Sequence, residues 1–259
     1  MAEFDPLREG ITGRQAYRLS IPGADAAAEL SVISFTATEA MGEPTGVRIE
    51  LTHPLQISRA DFLNQDAVFS IVADDGTTRK FSGYIERFSV VQTTKDYVRY
   101  EIVLKSHFGR LAAVTTTQTY QHVTVPQILM AVLRRHGLRD HQVSFRLRRQ
   151  YPVHAWRFQH QMTDLAYVQM LMQKEGIYSY IVETEYGDQT VFADDVDHYL
   201  YDEPQRIVPY REAAGLEAGG VEAGGRRGGH GTEDPRGDGA TVVYRGRLQP
   251  GKRLGAIPG

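Results

Sequence analysis

The sequence predicts a mainly β (α+β) protein: a β-barrel, helices inserted after it, and the beginning of a second sheet. Period-2 alternation recurs along its first half, as in Val98, Tyr100, Ile102 and Leu104 against Arg99, Glu101, Val103 and Lys105. Tight-turn signals separate these runs, among them Asp75-Gly76, which supplies the positive φ that a hairpin needs. Only two stretches carry apolar residues at helical spacing between a cap and a glycine stop.

Residues 1–16 have no apolar pattern and are expected to be a flexible N-terminus. Residues 17–120 read as the first barrel: "YRLSI", "LSVISFTAT", "GVRIELTH", "AVFSIVADDGTTRKFSGYIERFSVVQTT" and "YVRYEIVLKS" follow one another as short strands. Such antiparallel runs with tight turns predict a barrel or sandwich rather than alternating βαβ units.

Residues 121–176 read as a connector of helices and strand. "TVPQILMAVLRRHG" has Thr124 as cap, Pro126 in the first turn, Ile128, Leu129, Val132 and Leu133 as its apolar stripe, and Gly137 as stop. A strand region, "QVSFRLRRQYPVHAWRFQHQ", comes next. In the second helix Thr163 is placed to cap, Asp164 sits where the positive helix end favours an anion, and Leu165, Val168 and Met172 form the stripe. Gly176 closes it, since a left-handed residue is least strained without a Cβ.

Residues 177–212 read as the beginning of a second sheet. "GIYSYIVETE" and "QTVFADDVDHYLY" make a hairpin expected to turn at Tyr186-Gly187-Asp188. Ile177, Ser179 and Ile181 alternate with Tyr178, Tyr180 and Val182, so neither face is purely polar and the strand is expected to be covered on both sides. Residues 213–259 hold fourteen of the 25 glycines and little to bury. This tail is expected to be disordered, or aberrant in the manner of a shifted reading frame in GC-rich DNA.

At 259 residues the chain can bury about three quarters of its unfolded surface, enough for one large or two small cores. A net charge of −3 gives no general attraction to nucleic acid or anionic membrane. The longest aliphatic run, Ile128 to Leu133, is too short to span a bilayer, and the first twenty residues lack the apolar stretch of a signal peptide, so no membrane insertion is expected. With no cysteine, disulfides, thiolate nucleophiles and thiolate metal sites are excluded.

Candidate chemistry is sparse. "GRLQPGKR", after the strand-like "TVVY", nearly matches a phosphate-binding loop, but Arg253 stands where a hydroxyl must hold magnesium. "ADDVDH" gathers Asp194, Asp195, Asp197 and His198 without the glycine and distal glutamate of a calcium loop. Histidines lack metalloprotease spacing and no serine sits in GxSxG, so no catalytic, cofactor or metal site is predicted. Two charge runs are more informative. From Arg134 to Arg149 there are six arginines and one acid, with Tyr151 and Trp156 following, and from Glu183 to Glu203 eight acids and no Lys or Arg. Arginines beside aromatics could stack on single-stranded nucleic acid, although the acidic run would repel it. Opposite poles on one chain instead suit a head-to-tail contact between identical subunits. The candidate interface residues are Arg134, Arg135, Arg146, Arg148 and Arg149, Tyr178 and Tyr180, and Asp194, Asp195 and Asp197, with Thr163, Asp164 and Gly176 as structural positions.

"RFQHQMTDLAYVQMLMQKEGIYSYI" resembles a stretch of the VgrG spike proteins of type VI secretion systems, where an acid and a helix lead into Glu-Glu-Gly-Ile-Tyr-Tyr-Phe. The matching positions are Gln159, Asp164, Leu165, Leu171, Glu175, Gly176, Ile177, Tyr178 and Tyr180. "FSGYIERF" with "YEIVLKS", "QTYQHVTVPQILMAVLRRHG" and "VPYREAAGLEAGG" extend the likeness over Tyr17 to Ala223. Met162, Met170 and Gln173 depart from it, standing where the family usually has Glu, Arg and Glu. The resemblance implies a β-barrel hub domain with inserted helices like that of a phage tail baseplate, residues 177–212 being the start of a second, incomplete barrel, non-enzymatic, trimeric with pseudo-sixfold symmetry, offering six barrels to the hexameric tube ring, Hcp. It further implies baseplate partners, an effector or tip protein carried on an OB-fold and needle that this chain lacks, weakened trimerisation for that reason, and assembly in the cytoplasm followed by secretion. A phage tail hub or late-control protein of the same fold is the alternative, ahead of an enzyme or a nucleic-acid-binding module.

Overall fold

The structure, a computed structural model, describes residues 17–24, 27, 29–72, 78–198 and 241–247. Strands β1 (Tyr17–Ser20), β2 (Ser31–Ala40), β3 (Gly46–His53), β4 (Asp66–Val72), β5 (Thr78–Thr93) and β6 (Val98–Lys105) form where alternation predicts them. Together with β12 (Thr241–Arg247) they build one curled, half-barrel sheet in the order β1-β4-β5-β6-β3-β2-β12, every neighbouring pair antiparallel. Alternation works as read: in β3, Val47, Ile49 and Leu51 enter the core while the residues between them stay outside. Tyr17, Phe35, Phe69 and Phe81 meet edge-on or stacked inside the curl, with Phe35 and Phe69 centroids 4.9 Å apart. β5 turns the corner through two bulges, between Ile85 and Arg87 and between Val90 and Gln92. Beside the first bulge Gly83 lets two backbones touch, for a Cβ there would lie 2.0 Å from the Lys105 carbonyl oxygen.

A second core lies beyond β6. It holds helices α1 (Val125–Arg135) and α2 (Asp164–Glu175), a two-stranded sheet of β7 (Thr115–Val123) with β9 (His154–Thr163), and a three-stranded sheet. In the latter, β10 (Tyr178–Thr184) and β11 (Gly187–Ala193) form a hairpin, and β8 (Val143–Arg146) joins β11 in parallel. Phe192 packs between Phe108 and Phe145, joining this sheet to the rest of the core.

Both helices start and stop as the sequence predicts. Gln127 reaches back to the Thr124 N–H at 2.8 Å, and Gly137 closes α1 at φ +75°. Thr163 Oγ1 accepts from the Ala166 N–H, Gly176 stands at φ +64°, and the Ile177 N–H reaches the Met172 carbonyl in a Schellman closure.

Five expectations are corrected. The first core ends at Leu104, and β7, expected in the first barrel, pairs with β9 in the second core. The connector and the expected second-barrel start share that one core, because the helix stripes bury against Ile177, Ile181 and Phe192. "QVSFRLRRQYPVHAWRFQHQ" divides into β8 and β9, which enter different sheets. The β10–β11 hairpin turns at Glu185-Tyr186, with Gly187 (φ +112°) paired to Thr184 as the first residue of β11. The tail also supplies a strand: Thr241–Arg247 pairs along β2 from Ala40 to Ser34, so the strand-like "TVVY" is one. The Asp75-Gly76 turn, residues 1–16, 199–240 and most of the phosphate-loop-like stretch lie outside the described residues, though β4 and β5 do pair on either side of that turn.

Candidate functional site

The two charge runs meet each other within one chain. Asp194 follows β11 with its side chain fully buried and accepts from the backbone N–H groups of Arg148 and Arg149, both at 2.9 Å, and from the Tyr151 hydroxyl at 2.8 Å. Burial pushes this carboxyl up, but the four donors around it outweigh burial and hold it at about 2. The Tyr151 hydroxyl is pushed up to about 12, first by burial and then by the carboxylate it faces. Arg148 Nη1 lies 3.1 Å from Asp195 and 2.8 Å from Asp197, and the Arg149 guanidinium caps the carbonyls of Glu175 and Gly176 at the end of α2. Tyr178 and Tyr180, stacked 6.2 Å apart, donate to the carbonyls of Asp195 and His198.

This corrects the picture of two free poles. Arg148, Arg149, Asp194, Asp195 and Asp197 neutralise one another because the parallel β8–β11 pair brings their chain segments together. The outer face of β10 is covered by its own chain, by the turn at Val196–His198. Arg134 lies 3.8 Å from the exposed Asp140, and Arg146 is the last residue of β8.

Asp164 does more than favour a helix end. It is buried, and receives the Gln159 amide at 2.7 Å, His136 Nε2 at 2.6 Å and Arg135 Nη2 at 2.6 Å. Burial raises the carboxyl and these three donors more than reverse it, leaving it below its ordinary value. One residue thereby ties the end of α1, the start of α2 and strand β9. Gln159 and Asp164, two of the positions that carried the family resemblance, bond directly.

The seam between the two cores was not legible in the sequence. His107, just after β6, places Nδ1 2.6 Å from Asp188 of β11 and Nε2 3.1 Å from Asp66 of β4. Burial lowers its pKa, the two carboxylates raise it, and the net shift is upward. Glu183 of β10 accepts from the Ser82 N–H and hydroxyl of β5 at 2.7 and 2.6 Å, and burial holds its carboxyl above its ordinary value. A cleft of about 400 Å³ opens along this seam, lined by Asp66, Lys80, His107, Arg110, Tyr186 and Asp188 among others. Two of its acids, Asp66 and Asp188, are tied to His107, and Asp66 also faces Arg110.

Residues 38–227, nearly three quarters of the chain, match the family model described as phage tail baseplate hub (GPD). The chain belongs to the phage tail baseplate hub family. It is 27% identical over 167 residues to the type VI secretion system spike protein VgrG4b of Pseudomonas aeruginosa, and 27% identical over 189 residues to VgrG5 of the same organism. Those alignments cover 64% and 73% of this chain but 20% and 23% of the spike proteins, so the chain spans about a fifth of the length of these relatives. Among solved structures, the Escherichia coli c3393 protein superposes with a TM-score of 0.66 at 26% identity, over 71% of this chain and 51% of the other. That protein is described as a component of the type VI secretion system with structural similarity to the T4 phage tail proteins gp27 and gp5. A Francisella PdpA–VgrG complex shares the fold at 10% identity, with a TM-score of 0.50 over 64% of this chain and 28% of the other.

Proposed function

We propose that this chain is a structural hub component of a contractile injection machine of the type VI secretion kind. The observation that carries the proposal is the family match over 38–227, supported by the spike-protein relatives and the superposition on a type VI component. The seam and the Asp164 cluster suit a part that bears load rather than one that turns over substrate, since their polar groups are spent on holding elements together. In this role the chain assembles as a homotrimer, seats on the hexameric tube ring of Hcp, and contacts baseplate proteins. Effectors or a tip protein attach through the regions of the relatives that this chain does not span. Assembly takes place in the cytoplasm, and firing carries the component outside the cell.

A phage tail hub is the second reading, favoured by the family description itself. Complementation separates the two. The chain, fused to the remaining part of a spike relative, is expected to restore tube-protein secretion to a type VI strain lacking its spike. Capture of the tube ring by the immobilised chain is the companion assay. Failure of both, with rescue of a tail-defective prophage instead, would assign the chain to a phage tail.

A further inference from the structure

Among the polar contacts that join the two cores along their seam, one needs a proton. We propose that His107 is a pH-operated latch between the cores: protonated, it holds β4 to β11 and keeps the cleft narrow; neutral, it lets go of β4 and the first core pivots on β10. The inference goes beyond the hub role and rests on the seam alone.

The geometry of the ring requires the charge. Nδ1 lies 2.6 Å from Asp188 and Nε2 3.1 Å from Asp66, so both ring nitrogens face carboxylate oxygens. Only an imidazolium carries a proton on each nitrogen; a neutral ring turns a lone pair toward one of the two acids. Burial decides which acid is released. Asp188 is shielded from water and also accepts from the His107 backbone N–H at 2.7 Å, so leaving it without the ring proton is costly. The Asp66 side chain is 72% exposed, and water takes the ring's place there cheaply. Proton loss therefore leaves Nδ1–H on Asp188 and frees Asp66.

The charges around the ring set the direction of the switch. Glu183 stands opposite Asp188 in the β10–β11 pair, and Arg110, in the turn after β6, lies 3.7 Å from Asp66 with its guanidinium over Tyr84 of β5. The Tyr84 ring is 6.0 Å from the imidazole, and Lys105 at the end of β6 is paired with Glu86. Lys80 of β5, Glu185 of the hairpin turn, and Arg139 and His141 beyond α1 line the same cleft, with His136 spent on Asp164. Burial lowers the pKa of His107, the two carboxylates raise it by more, and the net shift is upward. The latch thus holds below the ordinary value of 6.5 and lets go as pH rises through the folded pKa. Arg110 keeps its charge throughout, but its pull on an exposed acid at 3.7 Å is screened by water.

The other ties across the seam supply the pivot. The Ser179 carbonyl accepts from the Gly42 N–H at 2.8 Å, the Gly42 carbonyl accepts from the Gln169 amide at 2.9 Å, and Glu183 takes the N–H and hydroxyl of Ser82. Ser179 and Glu183 both belong to β10, and none of these donors titrates near neutral pH. The first core therefore stays attached along β10 while the Asp66 side moves, a hinge with a single releasable end.

Because the chain contains no cysteine, two introduced ones carry spin labels at unique positions. Arg59→Cys, on the turn before β4, and Gln173→Cys, on α2, are both exposed and report the distance between the cores by double electron–electron resonance on the full chain at about pH 6 and pH 9. With His107 intact, a narrow distance distribution is expected at the lower pH and a broader, shifted one at the higher, with circular dichroism unchanged. His107→Gln, which cannot gain or lose the proton, is expected to give the same distribution at both. Should that variant not fold, Asp66→Asn removes the released acid from an exposed position and is likewise expected to abolish the pH dependence. A distribution that ignores pH with His107 intact, a pH-dependent change that persists in either variant, or a broadening that comes only with loss of circular dichroism overturns the latch. None of these outcomes touches the hub role, which capture of the tube ring tests separately.

Discussion

Asp164→Asn removes one charge and almost no volume from a buried side chain that three donors hold in the second core. The wild-type carboxylate accepts three short hydrogen bonds, two from cationic or protonatable donors. Hydrogen bonds to charged groups are worth about 1.5–3 kcal/mol each when taken singly. They are not additive here, because two donors share Oδ2 and Arg135 keeps access to water. Discounting for both, a net loss of about 3 kcal/mol is expected, the size seen when one partner of a buried ion pair is removed. For a domain of this size that is a fall in Tm of roughly 6–12 °C. The pH dependence gives a second handle. The folded-state pKa lies below the unfolded value, so the contribution is fully present above the unfolded pKa near 3.8 and is lost as pH falls through the folded one. Urea unfolding of wild type and variant at pH 7 should therefore differ by about 3 kcal/mol, and the gap should narrow steadily below about pH 4. A gap under about 1 kcal/mol at pH 7, or one that stays constant down to acid unfolding, would refute the assignment of Asp164 as the tie between α1, α2 and β9.

Three further outcomes are expected. Gly83→Ala should destabilise the first core by about 3 kcal/mol or more, because its Cβ would meet the backbone of Lys105 at 2.0 Å and neither strand can yield without losing pairs; wild-type denaturant midpoints would rule this out. Gly176→Val places a β-branched residue at φ +64° and should cost on the order of 1–2 kcal/mol, read as a lowered Tm. At the seam, His107 has a raised pKa, so its stabilisation is complete below the unfolded value of 6.5 and is lost as pH rises through the folded pKa; Glu183, also raised, acts in the same direction from about 4.5 upward. His107→Gln should flatten the stability–pH curve above pH 6.5, and a curve that keeps its slope would show that the histidine does not titrate at the joint.

The identity of this chain was legible because its signals are local. Strand alternation, helix caps and glycine stops each depend on residues within a few positions, where backbone sterics and hydrogen-bond bookkeeping act without knowledge of the rest of the fold. Thr163, Gly176, the strands from Tyr17 to Lys105 and the stretch that resembled spike proteins were all read on that basis, and the structure places them accordingly. The arginine and aspartate runs show where such reading stops. Their charges could be counted, but whether they face a partner or each other depends on β8 lying parallel to β11, a pairing across more than forty residues that no local pattern encodes.

Long-range packing decided the rest. Ser82 meets Glu183 across 101 residues and His107 meets Asp188 across 81, so the seam exists only once both cores are folded and docked. It also placed β7 with β9 rather than in the first sheet, which left one uncharged aromatic face without a cover. A strand's alternation says that it has two faces; which face is buried, and against what, is fixed by the register and neighbours it acquires in three dimensions.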